Sequence, residues 1–177
     1  GQNTRRAGED LARGAVALAA GKRIDPAELG LIASLGIAEV DVKRRLRVAF
    51  FSTGDELASI GKPLAPGEIY DSNRYTLHGL LTRLGAEIID MGVVPDRPDA
   101  LEATLAEAAL VADAIITTGG VSVGEADFIK DILAKLGEVR FWKLNIKPGR
   151  PMAFGKVGNA WLFGLPGNPV AVMVSYT

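Results

Sequence analysis

From Arg47 onward the chain repeats one rhythm: a short apolar run, a glycine-containing loop, then a stretch with apolar residues at helical spacing. Val48-Ala49-Phe50-Phe51 is continuously apolar, the pattern of a strand covered on both faces. Ser72 to Leu84 carries Leu77, Leu80, Leu81 and Leu84 on one helical stripe, and Gly85 stops it. Glu87 to Val94 predicts a strand around Ile88-Ile89, and Pro98 to Ala112 predicts a helix from Leu101, Leu105, Ala108 and Val111. Ala114-Ile115-Ile116 predicts a further buried strand. Ala126 to Leu136 predicts a helix ended by Gly137, and Val139 to Ile146 a strand. Ala153 to Lys156 and Ala160 to Phe163 predict a hairpin about Gly158-Asn159, and Val170 to Tyr176 a last helix. Parallel strands must be joined by crossovers, usually helical. The alternation therefore specifies an α/β fold with a mainly parallel sheet and helices on both faces. In such sheets ligands bind beyond the carboxyl ends of the strands.

Before Arg47 the elements are small. Asp25-Pro26-Ala27-Glu28 is a helix start, with Asp as N-cap, Pro first in the helix and Glu three residues after the cap. Leu29, Ile32, Ala33 and Leu35 supply an apolar stripe, and Gly36 closes the helix. Ile37 to Val42 alternates apolar and polar residues, so a short strand is expected. Lys43-Arg44-Arg45 and Arg5-Arg6 read as solvated charge. The expected division is a partial N-terminal lobe over residues 1–46 and a main domain over 47–177. The chain lacks an initiator methionine and stops inside its last helix, which suggests a piece of a longer protein.

Composition narrows the function classes. The 177 residues hold 48% hydrophobic and 23% charged side chains, enough for a core and too apolar for disorder. A net charge of −1 argues against a nucleic-acid binder, whose domain is usually strongly basic. Cysteine is absent, so thiol nucleophiles, iron–sulfur clusters and disulfides are excluded, and a cytoplasmic location is expected. No apolar run is long enough to cross a bilayer, and no membrane partner is expected.

Three loops converge on the predicted carboxyl rim: Ser52 to Glu56, Thr117 to Asp127 and Gly164 to Pro169. Their glycines either make tight turns only, or let backbone N–H groups approach a phosphate. Convergence on one rim favours the second reading, and two of the loops run into a helix N-terminus. Asp55, Glu56 and Asp127 on the same rim would repel an anion unless a cation lay between, and hard oxygen ligands suit Mg²⁺. Asp55 reads more simply as a turn cap; Asp96 is either the N-cap of the helix opening at Pro98 or a ligand contact. Lys143, Asn145 and Lys147 share one strand face, opposite Trp142, Leu144 and Ile146, and favour anion binding over a solvated edge. His78, the only histidine, has no metal-ligand partner spacing and reads as structural or solvated, and Ser122 has no histidine base nearby.

Five motifs then occur in order: Ser52-Thr53-Gly54-Asp55-Glu56-Leu57, Ile69-Tyr70-Asp71-Ser72-Asn73-Arg74, Thr118-Gly119-Gly120-Val121-Ser122-Val123-Gly124-Glu125-Ala126-Asp127, Trp142 to Gly149, and Gly164-Leu165-Pro166-Gly167-Asn168-Pro169. Together with Arg5 to Asp10, this set resembles the molybdopterin molybdenumtransferase family, MoeA in bacteria and the E domain of gephyrin in animals. The resemblance implies a three-layer molybdopterin-binding domain that takes adenylylated molybdopterin and molybdate, inserts the metal and releases AMP, assisted by Mg²⁺. By matching position it implies Glu56 and Asp127 as the acidic pair at the metal, and Lys143 and Lys147 as the basic pair holding molybdate or phosphate. It further implies substrate contacts at Thr53, Gly54, Asp96, Gly119, Gly120, Ser122, Gly124, Pro166, Gly167, Asn168 and Pro169. Asp10 matches an acidic position with less force. The implied assembly is a homodimer of the full-length protein, with a molybdopterin adenylyltransferase as possible partner. The rivals are an adenylyltransferase-like or nucleotide-binding enzyme of the same fold, and a non-catalytic scaffold.

Overall fold

The computed structural model describes residues 1–120, 132, 135–143, 147–148 and 151–176, with backbone alone at 139–143 and 151. The chain divides into two compact units, residues 1–43 and 44–177. In the first, helix α1 spans Pro26–Ser34 and opens as the sequence predicts: the Asp25 N–H donates to the Glu28 carboxylate at 3.1 Å. Its apolar stripe is not a core. Ile32 is buried, whereas Leu29 and Leu35 are exposed. The strand expected over Ile37 to Val42 is irregular chain, with Ile37, Val40 and Val42 exposed. Alternation alone makes no strand without a neighbour to complete the hydrogen-bond ladder.

The sequence put the division after residue 46; Arg44 to Leu46 lie instead with the second unit. Arg44 is exposed, as expected, but also paired: its guanidinium donates both Nη groups to the Asp113 carboxylate at 2.6 Å each, and the Leu46 carbonyl accepts from Glu87 N–H at 2.9 Å.

In that unit, eight strands and three helices follow among the described residues: β1 Arg47–Thr53, β2 Leu57–Ala58, β3 Ile69–Tyr70, α2 Ser72–Leu84, β4 Glu87–Val94, α3 Pro98–Val111, β5 Ala114–Thr118, β6 Gly137–Lys143, β7 Pro151–Val157, β8 Ala160–Leu165 and α4 Pro169–Tyr176. The main sheet has the order β4-β1-β5-β8-β7-β6. β4, β1, β5 and β8 are parallel; β7 runs against both β8 and β6. The expected hairpin is the β7–β8 pair. The helix expected over Ala126 to Leu136 lies mostly outside the described residues; Ile132, Lys135 and Leu136 are helical, and Gly137 ends that stretch and opens β6.

β1 decides the layering. Val48 and Phe50 pack on one face with Leu77, Leu81, Leu165 and Val172 from α2, β8 and α4. Ala49 and Phe51 pack on the other with Leu101, Leu105 and Ala108 of α3, Ile115, Ile132 and Leu162. Successive side chains point to opposite faces, so an unbroken apolar run serves both cores. The result is a three-layer α/β unit.

Candidate functional site

The parallel register aligns the strand ends. Thr53 pairs with Val94, Ser52 with Thr118, and Thr118 with Leu165, so the loops after β1, β4, β5 and β8 leave one rim. Across it the buried Thr118 hydroxyl donates to Ser52 Oγ at 3.0 Å. Gly119 holds the loops together: at φ +85°, a Cβ there would lie 2.3 Å from the Thr53 carbonyl oxygen. Its N–H donates to the Leu165 carbonyl at 3.2 Å. Only glycine satisfies both the left-handed backbone and the close approach.

Three carboxylates gather after β1 and β4. Thr53 Oγ1 donates to Asp96 Oδ1 at 3.4 Å, and Asp96 N–H donates to Asp55 Oδ1 at 3.3 Å. Asp96 is therefore not the N-cap of α3. Arg97 holds that position, because Arg97 N–H donates to the Pro95 carbonyl and Leu101 N–H to the Arg97 carbonyl. Gly54, at φ +151°, lets Glu56 fold back: the Glu56 carboxylate oxygens lie 2.7 and 2.9 Å from where a Gly54 Cβ would sit. Burial first, then the Asp55 charge, pushes the Asp96 carboxyl above its ordinary pKa. The Thr53 hydroxyl opposes this and Glu56 adds to it. None of Asp55, Glu56 and Asp96 is in an ion pair among the described residues.

A solvent-open cleft of about 120 Å³ lies beside this cluster, lined by Thr53, Glu56, Asp71, Asn73, Gly119 and Gly167 among others. The short parallel pair β2–β3 creates it. Ile69 N–H donates to the Glu56 carbonyl and Asp71 N–H to the Ala58 carbonyl, which carries the start of α2 to the rim. Asp71 and Asn73 belong to a quoted motif, yet the sequence assigned them no role. The legible signal was two acceptor side chains flanking Ser72 at a helix start. Asp71 caps α2 by accepting from Arg74 N–H at 3.1 Å, and Asn73 Nδ2 donates to the Gly167 carbonyl at 2.7 Å.

The N-terminus of α4 is less open to anions than the sequence suggests. Asn168 Oδ1 accepts from Val170 N–H at 2.9 Å and Ala171 N–H at 3.2 Å, so it caps α4. Pro166 is buried, while Gly167 and Pro169 are exposed. Lys143 ends β6, whose carboxyl end lies on the same rim, and Lys147 is exposed. Gly120 is buried, with φ +65°. His78 is exposed on α2, and Asp10 pairs with Arg5 at 2.8 Å in the N-terminal unit. Ser122, Gly124 and Asp127 lie outside the described residues, as does the Lys143 side chain.

Known proteins share this architecture. Residues 49–177 match the probable molybdopterin binding domain, and residues 1–36 match the MoeA N-terminal region (domain I and II). A molybdopterin molybdenumtransferase from Haemophilus influenzae is 54% identical over 175 residues, covering 99% of this chain and 43% of the relative. One from Nostoc is 43% identical over 163 residues, covering 90% and 37%. The crystal structure of a molybdopterin biosynthesis MoeA protein from Pyrococcus horikoshii superposes with a TM-score of 0.82 at 34% identity, covering 96% of this chain and 42% of that one. The chain thus spans under half the length of these relatives. With the strand order, the glycine-bound rim and a match over most of the second unit in agreement, the chain belongs to the molybdopterin-binding domain family.

Proposed function

We propose that this chain is the molybdopterin-binding part of a molybdopterin molybdenumtransferase, which inserts molybdate into adenylylated molybdopterin with release of AMP. The observation that carries the reading is the carboxylate cluster Asp55, Glu56 and Asp96, crowded and without cationic partners among the described residues, beside the Gly119 cleft at the strand ends. A substrate bearing a phosphoanhydride brings negative charge to a rim that is already negative, and that combination asks for a cation between them.

Oxygen donors suit a hard divalent ion such as Mg²⁺, and the Asp96 carboxyl holds its proton more tightly through burial and then through the nearby Asp55 charge. Among the described residues no three acidic groups form a metal-holding set by themselves, so the ion would need Asp127 or substrate oxygens as well. Glu56, with Asp127, would hold it. When bound, the ion supplies charge neutralisation at the phosphate that leaves as AMP. The remaining work falls to the chain. Gly119 and Gly167 leave room for close approach of the substrate. Lys143 and Lys147 would draw molybdate to the rim by charge. The Thr53 and Thr118 hydroxyls are spent on Asp96 and Ser52 and offer no nucleophile. The oxygen that attacks the phosphoanhydride then comes from molybdate or water, the P–O bond breaks and AMP leaves, and the dithiolene sulfurs replace molybdate oxygens, which depart as water. The reading carries with it a homodimer of the full-length protein and an adenylyltransferase that supplies the substrate.

Calorimetry with AMP, with and without Mg²⁺, tests the acidic pair. Glu56→Gln is expected to lose at least tenfold in the Mg²⁺-dependent part of AMP affinity, and unchanged metal dependence would count against the role. In turnover assays, molybdate-dependent AMP release is the expected activity. ATP-dependent transfer of AMP onto molybdopterin would instead assign the chain to the adenylyltransferases.

A further inference from the structure

We infer that Asp71 and Asn73 recognise the 2-amino-4-oxopyrimidine edge of the pterin, in the cleft between β3, α2 and the loop after β8; this deepens the functional reading above and rests on it.

Two independent features meet there. Asp71 and Asn73 are among the few buried polar residues, 2% and 7% exposed, and both line the cleft. Each has one polar atom fixed by the backbone and one left over. Asp71 Oδ1 accepts from Arg74 N–H, while Asp71 Oδ2 is buried without a donor among the described residues. Asn73 Nδ2 donates to the Gly167 carbonyl, which fixes the amide orientation, and Asn73 Oδ1 likewise has no donor among them. A buried acceptor without a donor is costly, and native structures retain such atoms where something else completes them.

The charge pattern selects the ligand class. The start of a helix ordinarily suits an anion, but here the Asp71 carboxylate already occupies the positive end of α2. Glu56 adds a second carboxylate to the cleft wall. A wall lined by Glu56, Asp71 and Asn73, with two unpaired acceptor oxygens just beneath its surface, repels phosphate and calls for N–H donors. Adenine offers one exocyclic amino group. A pterin offers N3–H and the 2-amino group side by side, which matches a carboxylate oxygen and an amide oxygen held by separate anchors. The phosphate and AMP portions of the substrate then lie outside this acceptor-lined part of the cleft.

The test compares 6-hydroxymethylpterin with its 2-oxo counterpart, 6-hydroxymethyllumazine, by quenching of their intrinsic fluorescence on titration with the chain. Replacing the amino group by oxygen sets an acceptor against acceptors, so the pterin is expected to bind at least tenfold more tightly. Asp71→Asn keeps an N-cap of equal quality, so the helix start is retained, and it is expected to cut that preference below about threefold. Equal binding of the two compounds by the unaltered chain, no pterin binding at millimolar concentration, or a full preference retained by Asp71→Asn would each overturn the inference. The first comparison needs no variant and decides the matter even if Asp71→Asn does not fold. Molybdate-dependent AMP release is measured separately: its absence with the pterin preference intact removes the functional reading alone, and its presence without the preference removes this inference alone.

Discussion

Gly119→Ala is the most informative single perturbation of the rim, because two separable costs fall on one methyl group. The backbone there sits at φ +85°, where an L side chain costs about 1–2 kcal/mol. The added Cβ would also meet the Thr53 carbonyl oxygen at 2.3 Å, about 1 Å inside an ordinary C···O approach. That oxygen belongs to the end of β1, which is paired to both β4 and β5, so it cannot swing aside as a flexible side chain would. Overpacking against fixed structure costs about 1–3 kcal/mol. Together the loss is about 2–5 kcal/mol, a large part of the 5–15 kcal/mol typical of a domain. Two controls separate the terms. Gly85→Ala has nearly the same backbone, φ +78°, with nothing within 4 Å, so it reports the backbone cost alone. Gly167→Ala meets its nearest atom at 3.7 Å and is expected to change stability by less than about 0.5 kcal/mol. Urea unfolding of the three variants gives the comparison. If Gly119→Ala and Gly85→Ala lose the same free energy within about 0.5 kcal/mol, the close approach to Thr53 is not what holds the rim together.

Two pH-dependent outcomes follow from the charged groups. Arg44, and then the Arg47 N–H, hold the Asp113 carboxyl well below the usual carboxylate range; its stabilisation is present above the unfolded pKa, about 4, and is lost as pH falls toward the folded value. The Tm difference between the unaltered chain and Asp113→Asn should therefore be open at pH 7, shrink with added salt, and close on acidification below about pH 4; a constant gap would refute the pairing. Asp96 has the opposite sign. Its folded pKa is raised by burial and by Asp55, so the stability it contributes is present below its ordinary pKa and lost as pH rises through the folded one. An NMR titration of its carboxyl should show a midpoint above about 3.9 that falls in Asp55→Asn, and an unmoved midpoint would remove the like-charge contribution.

The layered fold was legible because β1 and α2 carry strong local patterns. Val48 to Phe51 is apolar at every position, which a half-exposed strand cannot tolerate, and the structure buries all four across both faces. Ser72 to Leu84 is bounded by Asp71 and Gly85, a cap and a stop that act within one turn of the helix. Failures came where local pattern lacked a partner or met a stronger one. Ile37 to Val42 alternates like a strand and forms none. Arg44, one of three adjacent cations, is singled out by Asp113 from far along the chain. Asp96 precedes a helix as a cap would, but its carboxylate turns toward Thr53 and the backbone puts Arg97 at the cap.

Of the site, the sequence by itself determined the rim on which it lies, since strand direction and crossover handedness place the βα loops on one side of the sheet, but not the β3–α2 segment that walls the cleft. It also determined the chemistry available: glycines, carboxylates, lysines and no thiol. Only the tertiary structure decided which of those groups are free to act. Asn168 and Asp71 spend atoms on helix ends, Gly119 spends its N–H on Leu165, and the Asp71 and Asn73 acceptors are left over because β2 pairs with β3 and draws them under the cleft. Residue identity states what bonds a side chain can make; which of them are already made depends on contacts between segments distant in sequence, and that is settled only when the chain is folded.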